Sequence, residues 1–373
     1  MKLLKLICIF LVIGSLISCK IGRFVYYNFA DITDHKIFPK NIIKNDSIPF
    51  IFKKKSISSI PDSLTIGKKG FKKKIAFDDY LITNKTVAFL VIKNDSIEYE
   101  KYFSKYDETS IVNSFSMAKS VTSILIGCAI DEGLIKSTNE SITNYLPELK
   151  KNGFEKVTID NLLNMTSGIY FNESYLNPFG NAASFYYGTN LRKEITKLRL
   201  KHEPGTKFSY SSGDAQLLGL VLQAALKDRS ISSYLEEKIW KPLGMEFEAS
   251  WSLDKRKNGV EKTFCCLNAR ARDFAKIGRL YLNKGLWNGK RIVSEEWVNS
   301  STKIEETNGG ASYYQNQWWI GSNNGTFEAK GILGQRIYVN SKKNLVIVRL
   351  GKNDGKTSKW TNLFNTLSSI YDE

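Results

Sequence analysis

The sequence predicts an α+β fold: one antiparallel sheet formed by strands from both ends of the chain, flanked by helices, with a mostly helical subdomain inserted between them. Three observations carry this. Residues 86–103, TVAFLVIKNDSIEYEKYF, hold two β-like apolar runs around Asn94-Asp95, a hairpin signal. Residues 316–351 read as three strands divided by Asn-Gly and Ser-Lys-Lys-Asn turns. From residue 136 to about 310 the pattern is mostly helix and loop, with turn punctuation at LPELKKNG and HEPGTKF.

In chain order, the first element is an export signal. Two lysines precede the apolar run Leu6 to Ser18, and Cys19 follows. The thirteen residues of that run fall short of the ~20 needed to span a bilayer as a helix. LISC, Leu16 to Cys19, resembles a bacterial lipobox, in which the cysteine is lipidated and becomes the mature N-terminus. The alternative is an uncleaved anchor, since IGRFVYYNFA soon adds apolar residues. Either way the expectation is a domain outside the cytoplasm, held at a membrane. Residues 20–85 are polar, lysine-rich and weakly periodic, and read as a tether with a lead-in packed on the domain surface; residues 86–373 form the domain. After the hairpin comes a long apolar helix that opens near Ser116, and a helix over about 357–371 closes the chain. No internal repeat is evident.

Composition limits the function classes. With 373 residues, 42% of them hydrophobic, the chain has enough apolar surface for a sizeable core. A formal charge of +17 invites a nucleic-acid reading, but the lysines are scattered rather than interleaved with aromatics in one stripe. No helix-turn-helix, zinc-finger or single-strand-binding motif accompanies them. A surface facing anionic lipid, or a lysine-rich coding bias, accounts for the charge better, and no nucleic-acid partner is expected. The five cysteines do not form a disulfide framework: Cys8 and Cys19 belong to the signal, Cys128 lies on the apolar helix, and the adjacent Cys265 and Cys266 cannot easily bridge without strain. No CxxC pair or histidine cluster exists, so neither metal nor organic cofactor is expected.

The candidate chemistry lies in NSFSMAKSVTSILIGCAIDEGLI, residues 113–135. Ser116 and Lys119, at i and i+3, share a helix face about 5–6 Å apart at Cβ. The bland reading is a helix N-cap with a snorkelling lysine. The sharp reading is a nucleophile with its base. At a helix N-terminus the serine N–H is unpaired and ready for an oxyanion. The helix dipole and burial both favour a neutral lysine amine that accepts the serine proton. A Ser-His-Asp triad is a poor alternative: only His35 and His202 exist, His202 opens a Pro-Gly turn, and no GxSxG elbow is present. SxxK alone is a weak signal. Two later stretches add to it in order: PGTKFSYSSGDAQLLG (204–219), with Tyr210 and Ser212 before a second apolar helix, and AKGILGQRIYV (329–339), with a Gly-x-x-Gly-Gln turn opening a strand. Each alone has a structural reading, Tyr210 as a core or turn tyrosine and the glycines as a bulge or tight turn.

With IDNLLNMTSGI (159–169) and NARARDFAKIGRLYLNKG (268–285), these segments cover residues 85 to 370 and resemble the serine β-lactamase and penicillin-binding-protein-like superfamily. The resemblance is to its class C-like branch of esterases and 6-aminohexanoate-oligomer hydrolases. It implies Ser116 as acylated nucleophile, Lys119 as its base partner and Tyr210 as proton shuttle to the leaving group. It further implies an oxyanion hole from the N–H of Ser116 and of Gln335, the residue after the third motif's Gly334, within one or two positions. Ser212 would hydrogen-bond at the substrate side of the site, and Asn268 would reach the substrate or cap a helix.

Two departures from the family pattern bear on substrate. Tyr-x-Asn becomes Tyr-x-Ser, with Ser212 reaching less far. The third motif, often Lys-Thr-Gly, becomes Ile332-Leu333-Gly334, leaving Lys330, two residues earlier on the same strand face, as a partial substitute. A charge-assisted contact to a substrate carboxylate contributes roughly 1.5–3 kcal/mol, so its loss argues for a small-molecule ester or neutral amide over a β-lactam or peptidoglycan. The rival readings are a β-lactamase or D,D-peptidase, and a non-catalytic binding protein of the same fold. The aromatics of YFNESYLNPFGNAASFYYG, 170–188, are expected to line an apolar cleft or to pack the loop.

Overall fold

A computed structural model describes residues 20–27, 29–68, 71–304, 309–322, 325–356 and 359–372. The export signal with Cys19, and Asn324 of the expected Asn-Gly turn, lie outside the described residues.

The main sheet has eight strands: β1 (Lys53–Lys54), β2 (Thr86–Lys93), β3 (Ser96–Tyr102), β4 (Tyr314–Gln315), β5 (Trp318–Ile320), β6 (Thr326–Gly331), β7 (Gln335–Asn340) and β8 (Leu345–Gly351). Their spatial order is β4-β5-β6-β7-β8-β2-β3-β1, antiparallel throughout except for β1 beside β3. The expected sheet built from both chain ends is therefore present. Asn94 and Asp95 turn the β2–β3 hairpin with φ of 50° and 59°, left-handed values that Asn and Asp tolerate better than other side-chain-bearing residues.

Four helices matter for the site: α1 (Met117–Asp131), α2 (Ser212–Ala225), α3 (Ala271–Leu282) and α4 (Trp360–Ser368). The run VAFLVI in β2 is continuously apolar because both sheet faces are covered. Leu90 and Ile92 face the large core shared with α1 and α3, whereas Phe89 and Val91 face a smaller core shared with α4. Gly278 lets α3 approach this sheet: a Cβ there would meet Val346 Cγ1 at 2.7 Å.

Two expectations are corrected. The residues expected as three strands form β5 to β8, because the middle run folds back at Ile332–Gly334, where Leu333 and Gly334 take φ of 61° and 78°. The lead-in is also more than a surface segment. Lys40–Ile43 is an edge strand of a second, four-stranded sheet, followed in order by Ala249–Ser252, Leu267–Ala269 and Val112–Asn113. Ile43 and Phe52 are core residues. Weak periodicity misled there because each strand is too short to show a pattern. The second sheet positions the site, since Val112–Asn113 leads within three residues to Ser116.

Candidate active site

Ser116 occupies the N-cap of α1 but makes no side-chain cap bond, so its hydroxyl is left for other partners. The turn that presents it is strained. Phe115 is left-handed at φ 45°, an unusual conformation for a bulky residue, and its surroundings hold it there. Its N–H donates to Asn113 Oδ1 at 2.9 Å, the Ser114 N–H donates to Leu267 O at 2.9 Å, and its buried ring stacks on Tyr186. Gly331, the last residue of β6, presses on the same turn: a Cβ there would meet Ser114 O at 2.5 Å. Among the described residues the Ser116 N–H donates to no backbone carbonyl, as the start of a helix dictates.

Lys119 does not snorkel. It is 1% exposed, and its Nζ lies 2.9 Å from Ser116 Oγ, 3.1 Å from Ser212 Oγ and 2.9 Å from Phe264 O. Burial pushes the amine down to about 8, opposed by the Glu173 and Asp214 carboxylates. Tyr210 completes the group, its ring centroid 5.1 Å from Lys119 Nζ. Burial pushes the Tyr210 phenol well up, while the Ser116 hydroxyl and, more distantly, the Arg336 guanidinium pull it back. The sequence-predicted Ser116, Lys119, Tyr210 and Ser212 thus converge from the start of α1 and from the turn leading into α2. That turn rests on the NMTSG segment: the Ser209 N–H donates to Met165 O at 2.8 Å and Gly205 N–H to Thr166 O at 2.7 Å.

Other expected residues lie elsewhere. Gln335 is buried opposite Gly331, and its amide brackets Gly351, donating to its carbonyl at 2.7 Å and accepting its N–H at 3.0 Å. Gly334 packs on the Arg349 guanidinium, which Gly334 O accepts at 2.7 Å. Gly331, rather than Gly334, is the glycine against the nucleophile turn, and Ile332, next along the chain, opens a 3₁₀ turn, its N–H donating to no backbone carbonyl outside the strand ladder among the described residues. Asn268 lies on a strand of the second sheet and donates to Ser250 O and Ser252 Oγ at 3.2 and 3.1 Å. Among the described residues no hydrogen bond links it to Ser116, Lys119 or Tyr210, and it caps no helix. Lys330 lies over the Trp319 ring, 5.2 Å from its centroid, and 3.6 Å from Glu328, so its charge is already partnered. Cys265 and Cys266, expected not to bridge, are disulfide-bonded, with Cys266 left-handed at φ 71°. That conformation brings the second side chain round to the first, which spacing alone does not reveal.

The structure adds two carboxylates that sequence reasoning did not single out. Glu173 accepts the Ser212 N–H on Oε1 and the Ser212 hydroxyl on Oε2, the latter at 3.1 Å. Asp214, on the first turn of α2, accepts the Ser167 hydroxyl at 2.8 Å and is pushed by burial up to about 8. Only the loop aromatics of 170–188 drew notice, and nothing local marks a glutamate whose partner is 39 residues away. Those aromatics divide: Phe171 packs on Phe185 and Tyr186 on Phe115, while Tyr170 and Phe179 are exposed.

Comparison with known proteins agrees with this fold. The Beta-lactamase family matches residues 81–362. The chain belongs to that family. It is 27% identical over 301 residues to the 6-aminohexanoate-dimer hydrolase of Paenarthrobacter ureafaciens, covering 74% of this chain and 76% of that protein. A Bacillus anthracis protein provisionally named as a 6-aminohexanoate-dimer hydrolase has a solved structure with TM-score 0.82 at 25% identity, covering 94% of this chain and 95% of that one. A family VIII carboxylesterase shares the fold at TM-score 0.62 and 17% identity, over 79% of this chain and 94% of that one. The chain is thus a β-lactamase-fold member of the Beta-lactamase family.

Proposed function

We propose that the protein hydrolyses an ester or amide through an acyl-enzyme on Ser116. The observation that carries this is Lys119, a buried lysine placed within hydrogen-bond reach of the free hydroxyl of the serine at a helix N-cap and held at about 8. Neutral Lys119 takes the Ser116 proton as Oγ attacks the substrate carbonyl. The oxyanion forms between the N–H groups of Ser116 and Ile332. Tyr210 gives its proton to the departing alkoxide or amine, and the proton held on Lys119 restores the phenol. Water then attacks the acyl carbon along the reverse route, returning a proton to Ser116. The name of the Paenarthrobacter relative supports amide substrates. Engagement of Lys330 by Glu328 and Trp319 disfavours β-lactams.

The test is intact-protein mass after brief exposure to p-nitrophenyl acetate, with penicillin in parallel, on wild type and Ser116→Ala. An acetyl adduct confined to wild type supports the reading. Equal labelling of Ser116→Ala removes Ser116 from the mechanism, and a stable penicilloyl adduct moves the protein toward cell-wall enzymes. We also propose that the domain is membrane-tethered outside the cytoplasm through a lipid on Cys19. No helix among the described residues is long and apolar enough to cross a membrane. Partition of the full chain into detergent, lost in Cys19→Ala, is the expected result; unchanged partition would leave an uncleaved anchor as the tether.

A further inference from the structure

We propose that Glu173 is a positioning residue for the Ser116–Lys119 pair: it holds the proton of the Ser212 hydroxyl, so that a lone pair of Ser212 Oγ faces Lys119. The inference rests on the reading of Ser116 as nucleophile and Lys119 as base.

A hydroxyl has one proton and two acceptor lone pairs, and its direction is set by its neighbours. Ser212 Oγ lies 3.1 Å from Glu173 Oε2 and 3.1 Å from Lys119 Nζ. The other Glu173 oxygen takes the Ser212 N–H. Burial raises the Glu173 carboxyl, while the Lys119 amine and the two Ser212 bonds favour its ionised form; as a carboxylate it has no proton to give, and the Ser212 hydroxyl then donates to Glu173 and accepts from Lys119.

The effect on Lys119 follows by counting. The neutral amine has two N–H bonds and one lone pair. Ser212 Oγ and Phe264 O, at 3.1 and 2.9 Å, receive the two N–H bonds. The lone pair is then left for Ser116 Oγ, at 2.9 Å, which is the direction a base requires. Released from Glu173, the Ser212 proton has Lys119 and the Tyr175 hydroxyl as its remaining partners, and turned toward Lys119 it competes with Ser116 for that lone pair. An asparagine at this position would present a carbonyl acceptor by its own chemistry; a serine does so only when its proton is held elsewhere. Glu173 supplies the hold from the 170–188 segment, so the placement of that segment and the orientation of the base are coupled.

Three ionisable groups face Lys119: Glu173 from the loop, Asp214 from α2 and Tyr210 from the turn before it. Removing the Glu173 charge therefore has two effects of opposite sign. The amine becomes easier to deprotonate, because a carboxylate that favours the ammonium is gone, while its lone pair is no longer directed.

The test measures Ser116 acetylation by p-nitrophenyl acetate across pH 6–9, by burst kinetics and adduct mass, in full-length wild type, Glu173→Gln, Ser212→Ala and the double variant. Glu173→Gln is expected to lower the plateau rate about tenfold and to move the acid limb to lower pH. In the Ser212→Ala background the same change is expected to lower the plateau less than about twofold, since neighbours acting through one group are not additive. Equal losses in both backgrounds, as misfolding would also produce, overturn the inference and leave the proposed function standing. An unmoved limb with an unchanged plateau does the same. No adduct in wild type overturns the proposed function and this inference with it.

Discussion

The pH dependence of Ser116 acylation offers the strictest check on the site. Burial holds the Lys119 amine at about 8 against an ordinary 10.5. At pH 7 about a tenth of the enzyme then carries a neutral base, compared with roughly 0.03% at the ordinary value, a gain of about 300-fold. kcat/KM for p-nitrophenyl acetate, which reports the free enzyme, is expected to rise about tenfold per pH unit below ~7.5 and to level off above ~9. Lys119→Arg, permanently charged, is expected to lose the limb and ~10²–10⁴-fold in rate. The same burial acts on stability with a definite sign. The unfolded chain binds a proton that folded Lys119 sheds between about pH 8 and 10.5, so folding stability rises with pH across that window. Below it the full penalty, ~3 kcal/mol, stands against the fold. Lys119→Met removes that penalty together with three hydrogen bonds, and is expected to raise the melting temperature at pH 7 by a few degrees. A wild-type rate flat from pH 6 to 9, or a limb that survives in Lys119→Arg, would refute the assignment of Lys119 as base.

Tyr210→Phe is expected to slow an alkyl ester or amide ~10²–10⁴-fold but p-nitrophenyl acetate less than about tenfold, because p-nitrophenolate leaves without a proton; equal slowing of both would remove Tyr210 as the leaving-group acid. Gly331→Ala places a methyl 2.5 Å from Ser114 O, so acylation is expected to drop ~10²-fold with stability reduced by ~1–3 kcal/mol; wild-type burst kinetics would show that β6 does not brace the nucleophile turn. Arg349→Met leaves the carbonyls of Leu333, Gly334, Asn84 and Asn353 without their donor, and chemical denaturation is expected to show a loss of ~3–5 kcal/mol. A loss under ~1 kcal/mol would mean that water satisfies those carbonyls.

Much of the fold was legible where short-range chemistry decides it. Asn94-Asp95 marks the β2–β3 hairpin because those side chains tolerate left-handed backbone. The uninterrupted apolar run after Ser116 marks a helix buried on all sides, and α1 is buried from Met117 through Ala129. The bend at Ile332–Gly334 was half legible: its glycines signalled a turn, but not which one meets the nucleophile. That depends on Gln335 turning inward to Gly351, a residue on another strand. That the Asn268 amide nitrogen is tied to Ser250 and Ser252 was not legible, because those residues belong to a different strand of the second sheet.

The sequence by itself determined the chemical types and their order: a serine and lysine one helical turn apart, a tyrosine at a turn before a second helix, and a glycine-punctuated strand. Periodicity and turn residues express themselves over a few positions, so a linear reading captures them. Tertiary structure alone decided what state those groups are in. Lys119 is neutral-prone because the whole core excludes water from it, Phe115 is held left-handed by Asn113, Tyr186 and Gly331, and the Ser212 hydroxyl is directed by a glutamate from a distant loop. Desolvation and hydrogen-bond direction are properties of the assembled surroundings, and no stretch of chain carries them alone.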